Sequence, residues 1–84
     1  MKTKQIKQFA ELLAWLRNAR TSQKITLRTL AKTLKMPPSW VSKNETGERR
    51  LDVLEYVRFC EALGIDATKG LKLIGTGKAG KKRG

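Results

Sequence analysis

Apolar residues recur at intervals of three and four in four separate stretches of this chain. Each such stretch makes one apolar stripe along a helix and leaves the remaining faces polar. Helices of this kind are stable only where they cover one another's stripes, which predicts a compact, all-helical domain. The 84 residues allow one domain at most. Its core is small and its stability modest, a situation that dimerisation would relieve.

The first stripe, Phe9, Leu12, Leu13, Leu16 and Ala19, predicts a helix over about 5–20, with Trp15 to one side. A polar break at residues 21–24 follows. Thr26 is a suitable N-cap for a second helix to Leu34, whose apolar face is Leu27, Leu30, Ala31 and Leu34. Lys35-Met36-Pro37 reads as a tight turn. Pro38 then suits the first position of a third helix, where its missing N–H costs nothing. That helix, through Asn44, is short enough to depend on packing rather than propensity. After a loop at 46–50, Asp52 and Glu55 have capping-box spacing, flanked by Leu51 and Tyr56 at hydrophobic-staple positions. Val53, Val57, Cys60 and Leu63 are the expected buried stripe of this fourth helix, with Gly64 as its stop. A fifth helix is expected over 67–74, capped by Asp66 and weakened by Gly70. Residues 1–4 are expected to be frayed, 5–74 to form the domain, and 75–84, with four glycines and four basic residues, to be a disordered basic tail. The chain has no internal repeat.

The net charge of +12 sets no fold, but it points to a polyanionic partner. Its placement is uneven. Residues 17–50 hold nine Lys/Arg against two acids, whereas 52–66 hold one Arg against four acids. One cysteine permits no intrachain disulfide, and zero histidines argue against a zinc site. Cys60 is read as a small buried hydrophobe. No apolar run approaches the roughly 20 residues of a membrane span. The basic start lacks a small-residue cleavage site, so no signal peptide is expected. The expected setting is the cytoplasm, with the protein on the nucleoid when bound.

The second and third helices and the turn between them make a helix-turn-helix over about 27–46. Small Ala31 lets the third helix cross close to the second, and Val41 points inward to Leu30 and Leu34. At 100° per residue this turns Ser39, Ser42, Lys43 and Thr46 outward. Short hydroxyls with one long cation suit a helix that enters a groove about 12 Å wide. Lys43 is the expected guanine reader, and the loop pair Arg49-Arg50 is expected at phosphate. Trp40 either stacks on the DNA backbone or closes the core edge.

Thr26-Leu-Arg-Thr-Leu-Ala-Lys-Thr-Leu, Ser39-Trp-Val-Ser-Lys-Asn-Glu-Thr-Gly-Glu-Arg-Arg-Leu-Asp and Glu61-Ala-Leu-Gly together resemble the phage-repressor/Cro family of helix-turn-helix regulators, also called XRE-type. The Ser-Lys-x-Glu-x-Gly run at 42–47 and the Ala-Leu-Gly at 62–64 are the most specific features, and the resemblance covers about residues 9–66. It implies a compact four- to five-helix, lambda-repressor-like domain that binds operator DNA, usually as a homodimer. It places Pro38, Ser39, Ser42 and Lys43 at base-reading positions. Leu27 (through its N–H), Arg28, Trp40, Thr46, Gly47, Arg49 and Arg50 are the expected backbone contacts, Thr46 and Gly47 through backbone N–H groups. Glu45 corresponds to the family's buried acid and Arg20 to its arginine partner. Three positions depart from the pattern: Leu27 replaces a phosphate-holding Gln, Lys35 the usual turn Gly, and Asn44 an apolar residue.

The functional expectation is sequence-specific binding of double-stranded DNA by a transcriptional repressor occupying its operator. The alternative is an antitoxin that uses the same domain for autoregulation and also holds a toxin. A membrane-surface polycation needs a large exposed apolar face, and an RNA module needs an aromatic platform that five scattered aromatics do not make. No histidine, Cys/His pair, phosphate-cradling Gly loop or convergent carboxylate pair suggests an enzyme, and no cofactor is expected.

Overall fold

A computed structural model describes residues 3–75, with side chains from Lys7 onward. Five helices follow in order: α1 Thr3–Ser22, α2 Leu27–Leu34, α3 Pro38–Thr46, α4 Val53–Leu63 and α5 Ala67–Gly75. The described residues contain no strand. The long α1 lies against α3, α4 and α5, while α2 packs on α3 and α4. No helix among the described residues is long and apolar enough to cross a membrane.

α1 begins at Thr3, inside the segment expected to be frayed, and α5 takes in Gly75, expected to open the tail. The rest of both expectations, residues 1–2 and 76–84, lies outside the described residues.

The ends of α2 and α4 are closed as their sequences demand. Thr26 Oγ1 accepts the Thr29 N–H at 3.0 Å, and Asp52 and Glu55 form a complete capping box. Gly64 closes α4 in the left-handed region, at φ +68°. Lys35 closes α2 at φ +58°, a conformation that costs a residue with a Cβ more than it costs glycine. The turn that a glycine would make without strain is here made by a lysine.

The core comprises Leu12, Leu13, Leu16, Leu30, Ala31, Val41, Tyr56, Phe59, Cys60 and Leu63. The α4 stripe differs from expectation. Tyr56, Phe59, Cys60 and Leu63 are buried and Val57 is half-buried, whereas Val53 is 79% exposed. Val53 lies seven residues from Cys60 on the same helix face, but in the first turn, past the elements that cover α4. Burial raises the pKa of both the Tyr56 hydroxyl and the Cys60 thiol, and the Tyr56 hydroxyl donates to the Ala67 carbonyl.

Gly70 is buried on α5 because α5 comes close to two rings. A Cβ there would lie 2.3 Å from Tyr56 Oη and 2.6 Å from Trp15 Cζ3. Its helix-weakening effect is offset by this close packing. Gln8 Nε2 donates to the Ile74 carbonyl at 2.8 Å and Gln23 Nε2 to the Leu63 carbonyl at 2.8 Å, tying α1 to α5 and α4.

Candidate nucleic-acid interface

α3 has nine residues and no side-chain N-cap. Pro37 is extended and Pro38 opens the helix, so the chain enters α3 with two φ angles already set. The inward positions are Val41, fully buried, and Asn44, at 1% exposure. Ala31, also at 1%, is the small residue on α2 that allows the close crossing. The outward side carries Pro38, Ser39, Lys43 and Thr46, all exposed, with Ser42 half-buried beside them. This face presents hydroxyls and one long cation. Arg28, Lys32, Lys35 and Arg50 are exposed on α2 and the flanking turns, so the bihelical unit is cationic at its surface.

Residues 8–69 match a family described as a helix-turn-helix domain. A solved structure, an XRE-family like protein from Pseudomonas syringae pv. tomato, aligns with a TM-score of 0.84 at 40% identity, covering 89% of this chain and 92% of that one. The chain belongs to the XRE family of helix-turn-helix proteins. No curated protein matches it. The matched span includes α2 and α3, and typical members of the family are DNA-binding regulators.

In this XRE-family chain Arg20 and Glu45 form a buried pair between α1 and α3. Arg20 Nε donates to Glu45 Oε2 at 2.6 Å and Nη2 to Oε1 at 3.0 Å, with side-chain exposures of 11% and 10%. Nη1 donates to the Ile25 carbonyl at 2.8 Å, so the guanidinium also holds the break between α1 and α2. Leu27 packs its side chain against the core. Its N–H stands at the first position of α2, where no helical carbonyl is in reach.

Three expected backbone contacts, Gly47, Thr46 and Arg49, are placed differently. The N–H groups of Gly47, Glu48 and Arg49 turn back onto α3, the first to the Asn44 carbonyl at 3.3 Å and the others to the Lys43 carbonyl at 3.0 and 3.3 Å. Gly47 sits at φ +85° to make this closure. Its N–H, expected at phosphate, is thus engaged in ending α3, because the carbonyls of a last helical turn need donors. Thr46 lies within α3 rather than in the loop, and its hydroxyl donates to the Lys43 carbonyl at 3.2 Å.

The third is Arg49. Its guanidinium forks onto Glu55, Nη1 to Oε1 at 2.9 Å and Nη2 to Oε2 at 3.0 Å. Nη1 also lies 3.3 Å from Asn44 Oδ1 and 3.0 Å from the Arg50 carbonyl. The cation stands 5.1 Å from the centre of the Trp40 ring, which is itself stacked on Phe59 with centroids 5.8 Å apart. Trp40 therefore has two partners inside the protein and closes the core edge. Asn44, which stands where the family pattern has an apolar residue, is satisfied: Nδ2 donates to the Trp40 carbonyl at 2.7 Å and Oδ1 accepts from Arg49. The sequence signal for this cluster was a polar residue at an apolar position followed by an arginine five residues later. Its third member, Glu55, was already accounted for as a capping residue.

Proposed function

We propose that this protein is a sequence-specific regulator of transcription, a repressor that acts by occupying its operator in duplex DNA. The observation that carries this reading is the outward face of α3. It presents small hydroxyls and Lys43 with no large apolar residue, within the span matched by a helix-turn-helix family and among cationic surroundings. Pro38, Ser39, Ser42 and Lys43 are the base-reading set. The Leu27 N–H, Arg28 and Arg50 meet the sugar–phosphate backbone, with Trp40, Thr46 and Gly47 shaping the surface around them. Such contacts release condensed counterions, so affinity is expected to fall steeply with salt, roughly 10³–10⁵-fold between 50 and 200 mM for a dimer with six to ten phosphate contacts.

The protein acts as a homodimer in this reading, in the cytoplasm and on the nucleoid when bound. Support comes from apolar side chains left in solvent: Val53 and Leu54 at the start of α4, and Leu71 and Leu73 on α5. Ile74, on the same helix, packs against the core instead. A two-fold operator with half-sites about one helical turn, near 34 Å, apart is expected. A strictly monomeric protein by sedimentation, free and on DNA, would remove the dimer.

The test separates reading from positioning on a duplex selected from a random pool. Lys43→Ala is expected to cost about 1–3 kcal/mol on the selected site and to relax preference at one base pair per half-site. Arg50→Ala is expected to weaken selected and random duplexes alike and to lower the salt slope by about one. An unchanged ratio of selected to random affinity for Lys43→Ala would take Lys43 out of the reading set. A flat salt response of the native protein on duplex DNA would end the DNA-binding reading itself.

A further inference from the structure

We propose that Arg49 positions the recognition helix, through its fork with Glu55, and does not serve as a phosphate ligand. The inference rests on the DNA-binding reading above and concerns how α3 is held at its angle.

Four groups from three parts of the molecule meet at this one guanidinium. Asn44 presents its amide oxygen from the inner side of α3, Trp40 its ring from the first turn of α3, and Glu55 both carboxylate oxygens from α4. The fourth group is the Arg50 carbonyl, from the loop itself. Nη1 has two protons and three acceptors within 3.3 Å, so one proton is shared. The planar fork that would grip a phosphate is the fork that grips Glu55. Reaching DNA with it would mean giving up the Glu55 contacts and the Trp40 ring together.

The backbone of the same residue works in the same sense, since the Arg49 N–H bonds to the carbonyl of Lys43, the expected base reader. Glu55 is fixed in turn by the capping box: Oε1 accepts the Asp52 N–H at 3.0 Å, and the Glu55 N–H donates to Asp52 Oδ1 at 2.8 Å. The start of α4 is thus a rigid base, and Arg49 transmits its position to the inner side of α3 at Trp40 and Asn44. Lys43 is next to Asn44 and one turn from Ser39, so a small rotation of α3 moves these side chains relative to base edges.

Glu55→Gln distinguishes the two roles because they predict opposite signs. The change removes one negative charge and leaves an amide oxygen for the Asp52 N–H. If Arg49 positions α3, loosening its fork lowers affinity for the selected duplex about tenfold, leaves random duplex within about twofold, and leaves the salt slope unchanged. If Arg49 is a phosphate ligand held back by Glu55, the same variant binds both duplexes more tightly. Arg49→Ala is measured beside it. Positioning predicts a fall in the selected-to-random ratio at constant salt slope, and a phosphate ligand predicts a slope lower by about one with the ratio unchanged. Thermal melts of both variants establish that they are folded at the assay temperature, and Glu55→Gln, the smaller perturbation, keeps the test usable should Arg49→Ala unfold. Tighter binding by Glu55→Gln, a parallel loss on both duplexes, or no change on either would each overturn the proposal. Absence of any duplex binding by the native protein overturns it too, together with the reading on which it rests.

Discussion

α3 and α4 are similar in length, nine and eleven residues, and are held in place by different means. α4 carries its own signals: a two-sided capping box, a left-handed glycine at its end, and four buried side chains on one face. α3 has no side-chain cap and buries only Val41 and Asn44. Its place is set from outside, by Arg20 of α1 gripping Glu45, by Phe59 of α4 under Trp40, and by Arg49 joining Trp40 and Asn44 to Glu55. A helix that must face a groove cannot bury a broad apolar stripe, because that would use the surface it needs. Moving its anchors to the inner side and to neighbouring elements leaves Ser39, Lys43 and Thr46 available at the surface.

The largest effect expected from this contrast comes from Glu45→Ala. It leaves the Arg20 guanidinium without its carboxylate in a site where both side chains are about one-tenth exposed. Breaking such a pair by removing one partner costs about 3–5 kcal/mol, measurable by urea denaturation. A loss below about 1 kcal/mol would mean that α3 does not depend on α1 for its place.

Gly70→Ala tests the other side of the molecule. The new Cβ meets the Tyr56 hydroxyl and the Trp15 ring at 2.3 and 2.6 Å, so the rings or α5 must shift. Overpacking of this kind costs about 1–3 kcal/mol, against which alanine's better helix propensity returns about 1 kcal/mol. A lower Tm with an unchanged ratio of selected to random affinity is expected, because α3 is not touched. A changed ratio would show that α5 reaches the recognition surface.

Asp52→Ala removes the acceptor for the Glu55 N–H, at a cost of about 1 kcal/mol by denaturation. Because Glu55 keeps its fork to Arg49, DNA preference is expected to hold. A shift in preference comparable to that of Glu55→Gln would mean that the cap, rather than Arg49, sets the angle of α3.

The smallest effect is one of pH. The Arg49 hydrogen bonds, followed by the Asp52 N–H, hold the Glu55 carboxyl below its ordinary value of 4.5. The stability it contributes is fully present above that value and is lost as pH falls through the lower folded one. Asp66, also lowered by its bond to the Thr68 hydroxyl, titrates in the same direction. Glu55→Gln leaves Asp66 in place, so the difference between the two Tm–pH curves isolates Glu55. The native curve is expected to fall more steeply below pH 4.5, and parallel curves would show that the fork stabilises nothing.

Much of this was legible beforehand because it is local. Thr26, Asp52–Glu55, Gly64 and Pro38 act on residues within one turn of themselves, so the starts of α2, α3 and α4 and the end of α4 follow from the chain alone. The apolar stripes of α1 and α2, the inward turn of Val41 and the cationic bias of the bihelical unit follow from spacing and composition. The family pattern at 42–47 and 62–64 added the pairing of Arg20 with Glu45 across 25 residues, which periodicity does not supply.

Tertiary packing decided the rest, wherever two elements distant in sequence compete for one residue. Val53 fits the stripe of α4 by period, yet it is exposed because a stripe describes which residues share a face and not how far the covering elements extend. Gly70 reads as a helix defect until Trp15 and Tyr56, 55 and 14 residues away, are seen to require the missing Cβ. Arg49 reads as a loop cation facing phosphate until the fold brings Asn44, Trp40 and Glu55 within reach of its guanidinium. A sequence specifies the charge and length of such a side chain, but which partner it takes depends on whether the fold places a carboxylate 3 Å away in a partly desolvated site, where that partner outcompetes water.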